Sequence, residues 1–363
     1  MSYNLQDWAT LALSPGIGPQ RFLQLLQRFG SATAALAASR SQLAGLLEGD
    51  ALDALGGDIA RQSAADALAW AQQPGCSLLT LNDADYPCQL AEAGAAPPLL
   101  FARGQRALLA TPMLAIVGSR NATPQGEDNA RTFAKRLAAQ GYTIVSGLAG
   151  GIDAAAHEGA LAAGGGTIAI IGTGIDRVYP ASNRKLAHQI AEQGLILSEF
   201  ALGMGPLAQH FPRRNRIIAG LCRGCLVVEA TLQSGSLITA RLSLEAGREV
   251  MAIPGSILNP QARGCHRLIK DGARLVETVD DVLDEIGKPS LPPPDTTAEA
   301  EQGTTQGSDI LHAMGYDPVD ADTLASRLGL TAGDVYAMLL ELELLGHVDS
   351  MQGGRYQRRA DAH

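Results

Sequence analysis

A doubly wound α/β sheet is the fold this sequence predicts, preceded by a helical segment and followed by a small module joined through a polar linker. Three observations predict it. Short apolar runs recur between residues 113 and 286, helical segments separate most of them, and all but one of the runs end in glycine or small hydroxyl residues. In such sheets ligands bind outside the carboxyl ends of the strands, so the residues directly after each run bear on function.

Residues 1–75 read as helical. Leu5, Trp8, Ala9, Ala12 and Leu13 fall at helical spacing before SPGIG at Ser14–Gly18, and a second helix over Pro19–Phe29 is closed by Gly30. Two helices joined by Gly-Ile-Gly suggest a helix-hairpin-helix, or SAM-like, domain. Such a hairpin can offer backbone N–H groups to a phosphate, but only Arg21 and Arg28 are basic here, so packing is the default reading. Residues 76–110 form a connecting segment, with short strands expected at Leu78–Leu81 and Leu99–Phe101.

From 111 to 286 the runs are Leu114–Val117, Thr143–Val145, Ile168–Ile171, Ile196–Leu197, Leu226–Val228, Val250–Ile253 and Leu275–Val276. After the first come Gly118, Ser119 and Arg120, then Thr123-Pro124 as an N-cap with proline at the first helical position. The second is followed by Ser146–Asp153, which holds Gly147, Gly150 and Gly151, and the third by Gly172 and Gly174. Glu229 ends the fifth, with Ser234, Gly235 and Ser236 opening the next helix. Glycine lets a ligand approach the backbone, and N–H groups left free there would suit phosphate oxygens. The pattern is neither the G-x-G-x-x-G fingerprint nor a Gly-Lys-Ser/Thr loop.

The stretch His210–Gly220, HFPRRNRIIAG, adds Arg213, Arg214 and Arg216, whose planar forks match phosphate geometry. An alternative stays open, in which these arginines form a structural ion-pair cluster with Glu199 and Glu229. Cys222 and Cys225 make a lone C-x-x-C with no second pair, so no metal or cofactor is expected. His157 is read as a capping or core histidine.

The tail begins with Gly287–Gly307, a linker rich in Pro, Thr, Gly and Glu. Residues 308–359 follow as three helices and a short hairpin around Gly353-Gly354, the pattern of a winged helix. Its third helix carries Asp334, Glu341 and Glu343 and no Lys or Arg, so a protein-contacting role is expected rather than major-groove docking.

Composition narrows the classes. With 363 residues, two or three domains are expected, and 28 Lys plus Arg against 37 Asp plus Glu, a net charge of −9, argues against a general electrostatic grip on nucleic acid. Any such surface must be local. Five irregularly placed cysteines, no signal-like start and no long apolar stretch fit a cytoplasmic protein.

The motifs IVGSR at Ile116–Arg120, SGLAGGID at Ser146–Asp153, GTGIDRVYP at Gly172–Pro180, FPRRNRIIAGL at Phe211–Leu221, VVEATLQSGSLITA at Val227–Ala240 and GREVMAIPG at Gly247–Gly255 resemble, in order, the DNA-processing protein A (DprA/Smf) family. The resemblance implies an extended Rossmann-like fold that binds single-stranded DNA, forms a homodimer, and loads the RecA recombinase during natural transformation, with no catalytic activity. Carried over by position, Arg120 is the foremost DNA-contacting residue, supported by Gly118, Ser119 and the Gly147–Gly151 loop. Arg213 and Arg216 fall where a backbone phosphate would be held, and Asn215 where a base or sugar would be met. Two departures stand out: Ala181 follows Tyr-Pro where many members have a basic residue, leaving Arg184 and Lys185 as substitutes, and Gly150 replaces a lysine of some members. A competing reading is a nucleoside-monophosphate phosphoribohydrolase using Glu229 or Glu199, though the P-G-G-x-G-T loop of such enzymes is absent. A purely structural dimer would leave the glycine loops without a reason.

Overall fold

The computed structural model describes residues 4–94, 96–289, 309–315, 317–344, 347–351 and 353–358. Most of the linker expected at 287–307 lies outside them. The chain opens with helices α1 (Leu5–Ala12), α2 (Pro19–Phe29), α3 (Ala32–Leu36), α4 (Arg40–Leu43), α5 (Asp50–Ala54) and α6 (Asp58–Ala71). Asn4 caps α1 by accepting from the Gln6 and Asp7 amides, and Pro19 starts α2 where its missing N–H is not needed. Gly16 turns the hairpin at φ +79°, its carbonyl held by the Arg21 guanidinium at 2.8 Å. Trp8 packs edge-on against Phe22 and donates its indole N–H to the Pro98 carbonyl. Strand β1 (Cys76–Thr80), helix α7 (Cys88–Glu92) and strand β2 (Leu99–Gly104) follow.

The alternating part runs β3 (Met113–Val117), α8 (Pro124–Ala139), β4 (Thr143–Ser146), α9 (Ile152–Ala162), β5 (Thr167–Ile170), α10 (Arg184–Gln193), β6 (Leu195–Ser198), α11 (His210–Leu221), β7 (Gly224–Val227), α12 (Ser236–Glu245), β8 (Glu249–Ala252), α13 (Arg263–Lys270), β9 (Arg274–Leu275) and α14 (Val279–Ile286). The C-terminal module contains α15 (Asp309–Met314), β10 (Val319–Asp320), α16 (Ala321–Leu328), α17 (Ala332–Leu344), β11 (Val348–Met351) and β12 (Arg355–Arg358).

Two compact units emerge, and the 111–286 block contributes to both. The first joins Met1–Thr111 to Thr167–Cys222 and orders its strands β1-β2-β6-β5, with β5 and β6 parallel and the other pairs antiparallel. The second joins Pro112–Gly166 to Arg223–His363 and orders its strands β4-β3-β7-β8-β9, all parallel. Residues of β3, β4 and β7 are buried along their whole length, which is why they read as unbroken apolar runs.

Leu114, Ile116, Ile144, Leu226 and Met251 from the parallel strands meet Phe133, Leu137, Ile152 and Ala160 from α8 and α9 in one core. The two helices approach closely because both present small residues. A Cβ added at Gly159 of α9 would stand 2.2 Å from the Arg131 carbonyl oxygen of α8. The C-terminal module has its own core of Ile310, Met314, Leu324, Leu328, Val335, Leu339 and Val348, beside an antiparallel sheet ordered β10-β12-β11.

Gly159→Ala must push α8 and α9 apart, so it should cost at least about 2 kcal/mol in denaturant unfolding. Gly205→Ala, where nothing stands within 4 Å, should stay within about 0.5 kcal/mol.

Candidate nucleic-acid interface

In the second unit, the loop after β3 is built around one buried carboxylate. Glu229, 7% exposed at the end of β7, accepts from the Thr123 amide at 2.9 Å and the Thr123 hydroxyl at 2.7 Å, while its own carbonyl accepts from the Ser119 amide. Thr123 in turn caps α8 by accepting from the Gly126 amide at 3.0 Å. A side chain at Gly118 would meet the Glu229 carbonyl oxygen at 2.8 Å and Ile152 at 2.5 Å, and one at Gly126 would meet the carboxyl at 2.4 Å. Arg120 is exposed at the tip of this loop, and Ser119 is buried, with its hydroxyl accepting from the Asn121 amide.

The loop after β4 is equally committed to its own structure. Asp153 accepts from the Gly147 amide at 3.1 Å and the Ala149 amide at 3.4 Å. Gly151, at φ +68°, lies so close to β3's loop that a Cβ there would stand 2.4 Å from the Ser119 carbonyl oxygen. Gly150 has room, with Arg120's carbonyl oxygen 3.6 Å from a Cβ position. Ahead of α12, Gly235 is exposed, and the hydroxyls of Ser234 and Ser236 bond each other at 2.7 Å.

The first unit holds the remaining predicted residues. Gly172 and Gly174 are buried at the end of β5, and a Cβ at Gly174 would collide with the Ala201 carbonyl oxygen at 2.5 Å. Asp176 fastens this loop by accepting twice from the Gly203 amide, at 2.9 and 3.0 Å. Arg177, Arg184 and Lys185 are exposed. Tyr179, 45% exposed, lies 5.8 Å from the Phe211 ring.

The arginines of the HFPRRNRIIAG stretch lie within α11, which already begins at His210, and their spacing divides them. Arg213 and Arg216, three apart on one face, both pair with the buried Glu199 carboxylate, Arg213 at 3.4 Å. Arg213 remains half exposed, its guanidinium 5.5 Å from the Phe200 ring centre. Arg216 is mostly covered. Arg214 turns inward, only 5% exposed, and donates to the Ile170 carbonyl and to the Asn215 side-chain oxygen. Asn215 is itself 8% exposed. Of the structural partners expected, Glu199 takes part as read. Glu229 is bonded to Thr123 instead, because it stands beside the capped start of α8.

Two carboxylates escaped the sequence reading. Asp153 and Asp176 hold loops rather than ligands, and their signal is an Asp two positions after the last glycine of each glycine loop. The thiols of Cys225 and Cys265 are pushed up to about 12 by burial, so both stay protonated at neutral pH. No group of three or more His, Cys, Asp or Glu is placed to hold a metal ion among the described residues. No helix among them is long and apolar enough to cross a membrane.

Burial raises the Glu229 carboxyl above its ordinary range, against the lowering effect of the bonds from Thr123 and Asn259. The native carboxyl therefore holds its proton to higher pH than the unfolded one, and stability is lost as pH rises from about 4.3 through the native value. Glu229→Gln should flatten that part of the stability profile, and identical profiles for the two proteins would refute the assignment. Glu229→Ala, which strips the Thr123 amide of its acceptor, should cost about 2 kcal/mol at neutral pH in the same unfolding measurement.

Comparison with known proteins matches residues 77–287 to the family described as DNA recombination-mediator protein A, residues 4–39 to a DprA-like N-terminal HHH domain, and residues 292–354 to a DprA winged helix domain. Protein Smf of Escherichia coli is 41% identical over 310 residues, 84% of this chain and 83% of that protein. The DNA processing protein DprA of Streptococcus pneumoniae is 51% identical over 213 residues, 59% of this chain and 74% of that one. The X-ray structure of DprA from S. pneumoniae superposes with a TM-score of 0.70 at 40% identity, covering 79% of this chain and 99% of that one. A structure of DNA processing protein A from Helicobacter pylori, described by its single-stranded DNA binding mode, superposes at 0.52 and 32% identity, covering 57% of this chain and 94% of that one. A mixed α/β fold with a helical N-terminal domain and a winged-helix module, the six motifs in order and these relatives together place this chain in the DNA-processing protein A (DprA/Smf) family.

Proposed function

We propose that this protein binds single-stranded DNA and acts as a recombination mediator, a homodimer that delivers strands taken up by the cell to a RecA-type recombinase in the cytoplasm. The observation that carries the reading is the exposed cations that each unit keeps in a chain that is otherwise acidic: Arg120 after β3 in the second, and Arg184 and Lys185 at the start of α10 with Arg213 in α11 in the first. The H. pylori relative, whose structure concerns single-stranded DNA, supports the choice of ligand. In this reading Arg120 and Arg213 hold phosphates, and Arg184 and Lys185 serve in place of the basic residue that Ala181 lacks. Gly118, Ser119, Gly147, Gly150 and Gly151 shape the loop backbone beside Arg120 in the second unit, and Gly172 and Gly174 shape the loop after β5 in the first. Ser234, Gly235 and Ser236 offer hydroxyl and amide groups at the start of α12. Arg216 and Asn215 act mainly by fixing Arg213 and α11, because both are covered. The phosphoribohydrolase reading gains nothing from the geometry, since Glu199 is paired with two arginines and Glu229 is bonded to Thr123.

Fluorescence anisotropy of a labelled oligonucleotide of about 30 nucleotides tests this. Single strands should bind in preference to duplex, with affinity falling steeply with salt. Arg120→Ala and Arg213→Ala should each weaken binding about tenfold at low salt and lower the salt slope by about one. Binding that ignores both substitutions would refute the proposal.

A further inference from the structure

The C-terminal module lies against the same helix that carries the Arg120 loop. Helix α15 packs on α8 within the second unit, and Gly315, at φ +66°, abuts the second residue of α8, its Cβ position 3.3 Å from the Gln125 side-chain oxygen. Gln125 is five residues from Arg120. A largely buried arginine fastens the contact. Arg327 of α16, its side chain 14% exposed, reaches Asp128 of α8 at 2.8 Å and the Ala313 carbonyl at 2.8 Å. Asp128 is steadied by Arg131, which also pairs with Glu158 of α9.

The docked module is acidic. Residues 309–358 contain eight Asp or Glu against three Arg. Asp317, two residues beyond Gly315, lies near enough to Glu229 to act on its carboxyl electrostatically, which places negative charge beside the Gly118–Thr123 loop. Charge acts over a screening length of about 10 Å at 0.1 M salt, so acidic side chains docked at the start of α8 oppose a phosphate arriving at the loop that precedes it.

We propose that the winged-helix module is an electrostatic gate, held by the Arg327–Asp128 ion pair against α8, that opposes the binding of single-stranded DNA at the Arg120 loop until it undocks. The gate rests on the function proposed above. Linkage makes it reciprocal: undocking tightens DNA binding, and bound DNA drives undocking by the same factor.

The full-length chain serves for the test, with anisotropy of the oligonucleotide read beside the radius of gyration from small-angle scattering. Arg327→Ala removes a positive charge, and simple net-charge reasoning says it should bind DNA more weakly. The gate says the reverse: an enlarged radius and binding about three- to tenfold tighter at low salt, the gap closing as salt rises. Asp128→Ala, which opens the latch from the α8 side and leaves the module's interior untouched, should give the same enlargement. Asp317→Asn should tighten binding by a smaller factor with no enlargement, and saturating the natural protein with oligonucleotide should enlarge it. If the natural protein binds through Arg120 while Arg327→Ala and Asp128→Ala bind no tighter, or stay as compact, the gate is overturned and the proposed function stands. If the natural protein does not bind, or Arg120→Ala binds equally well, the proposed function falls and the gate with it.

Discussion

The Glu229 carboxylate is the constraint on which the Arg120 loop depends. It stands two residues beyond the end of β7 and is 7% exposed, where an unpartnered charge would be costly. Partners come from the chain segment that follows β3: two donors on Thr123, and the Ser119 amide on the Glu229 carbonyl. Those bonds fix where the backbone must run, and hence why Gly118 and Gly126 have no room for a side chain. Through Thr123 they also fix where α8 begins. One buried acid thus sets the loop, the helix cap and the position of Arg120 at the loop's tip.

Helix α11 resolves a similar tension with a different device. Three arginines in four residues cannot all face one way on a helix of 3.6 residues per turn. Arg214 turns inward and satisfies the Ile170 carbonyl at the end of β5. Arg213 and Arg216 share Glu199, which is buried and so must be paired. Arg216 is covered in the process, while Arg213 keeps half of its surface in solvent. The structural and functional readings of this cluster therefore apply to different residues of it. Arg214 serves the fold, and Arg213 is left able to meet a ligand.

Fold class was legible because a parallel sheet buried on both faces leaves uninterrupted apolar runs, and the strands at Met113–Val117 and Thr143–Ser146 fall on those runs. The N-cap at Thr123 and the proline start of α8 were legible for equally local reasons. The division of the chain into units was not, because β5, β6, α10 and α11 group with the N-terminal segment, and that grouping rests on pairings such as Phe101 with Ser198 that leave no local pattern. The exposed cations could be named from sequence. Which backbone amides they would work beside could not, since it depends on carboxylates distant in the chain, such as Glu229 beside Thr123.

That last point changes what the glycine loops are for. Their residue types suggest a row of free N–H groups, yet the Ser119, Gly147, Ala149 and Gly174 amides are all taken by acceptors within the protein. Gly118, Gly151 and Gly174 are glycine because a neighbouring backbone lies where a Cβ would be. Close packing of loop on loop, rather than a cradle of open amides, is the immediate reason for the pattern. In the proposed function, phosphate affinity falls mainly to long cationic side chains on a rigid base, and such contacts depend on the surrounding field far more than a closed amide nest does. A chain carrying net charge −9 can sustain that field only locally. In that reading Arg120 is sensitive to any acidic surface brought near it, and the proposed gate docks an acidic module on α8, the helix that follows its loop.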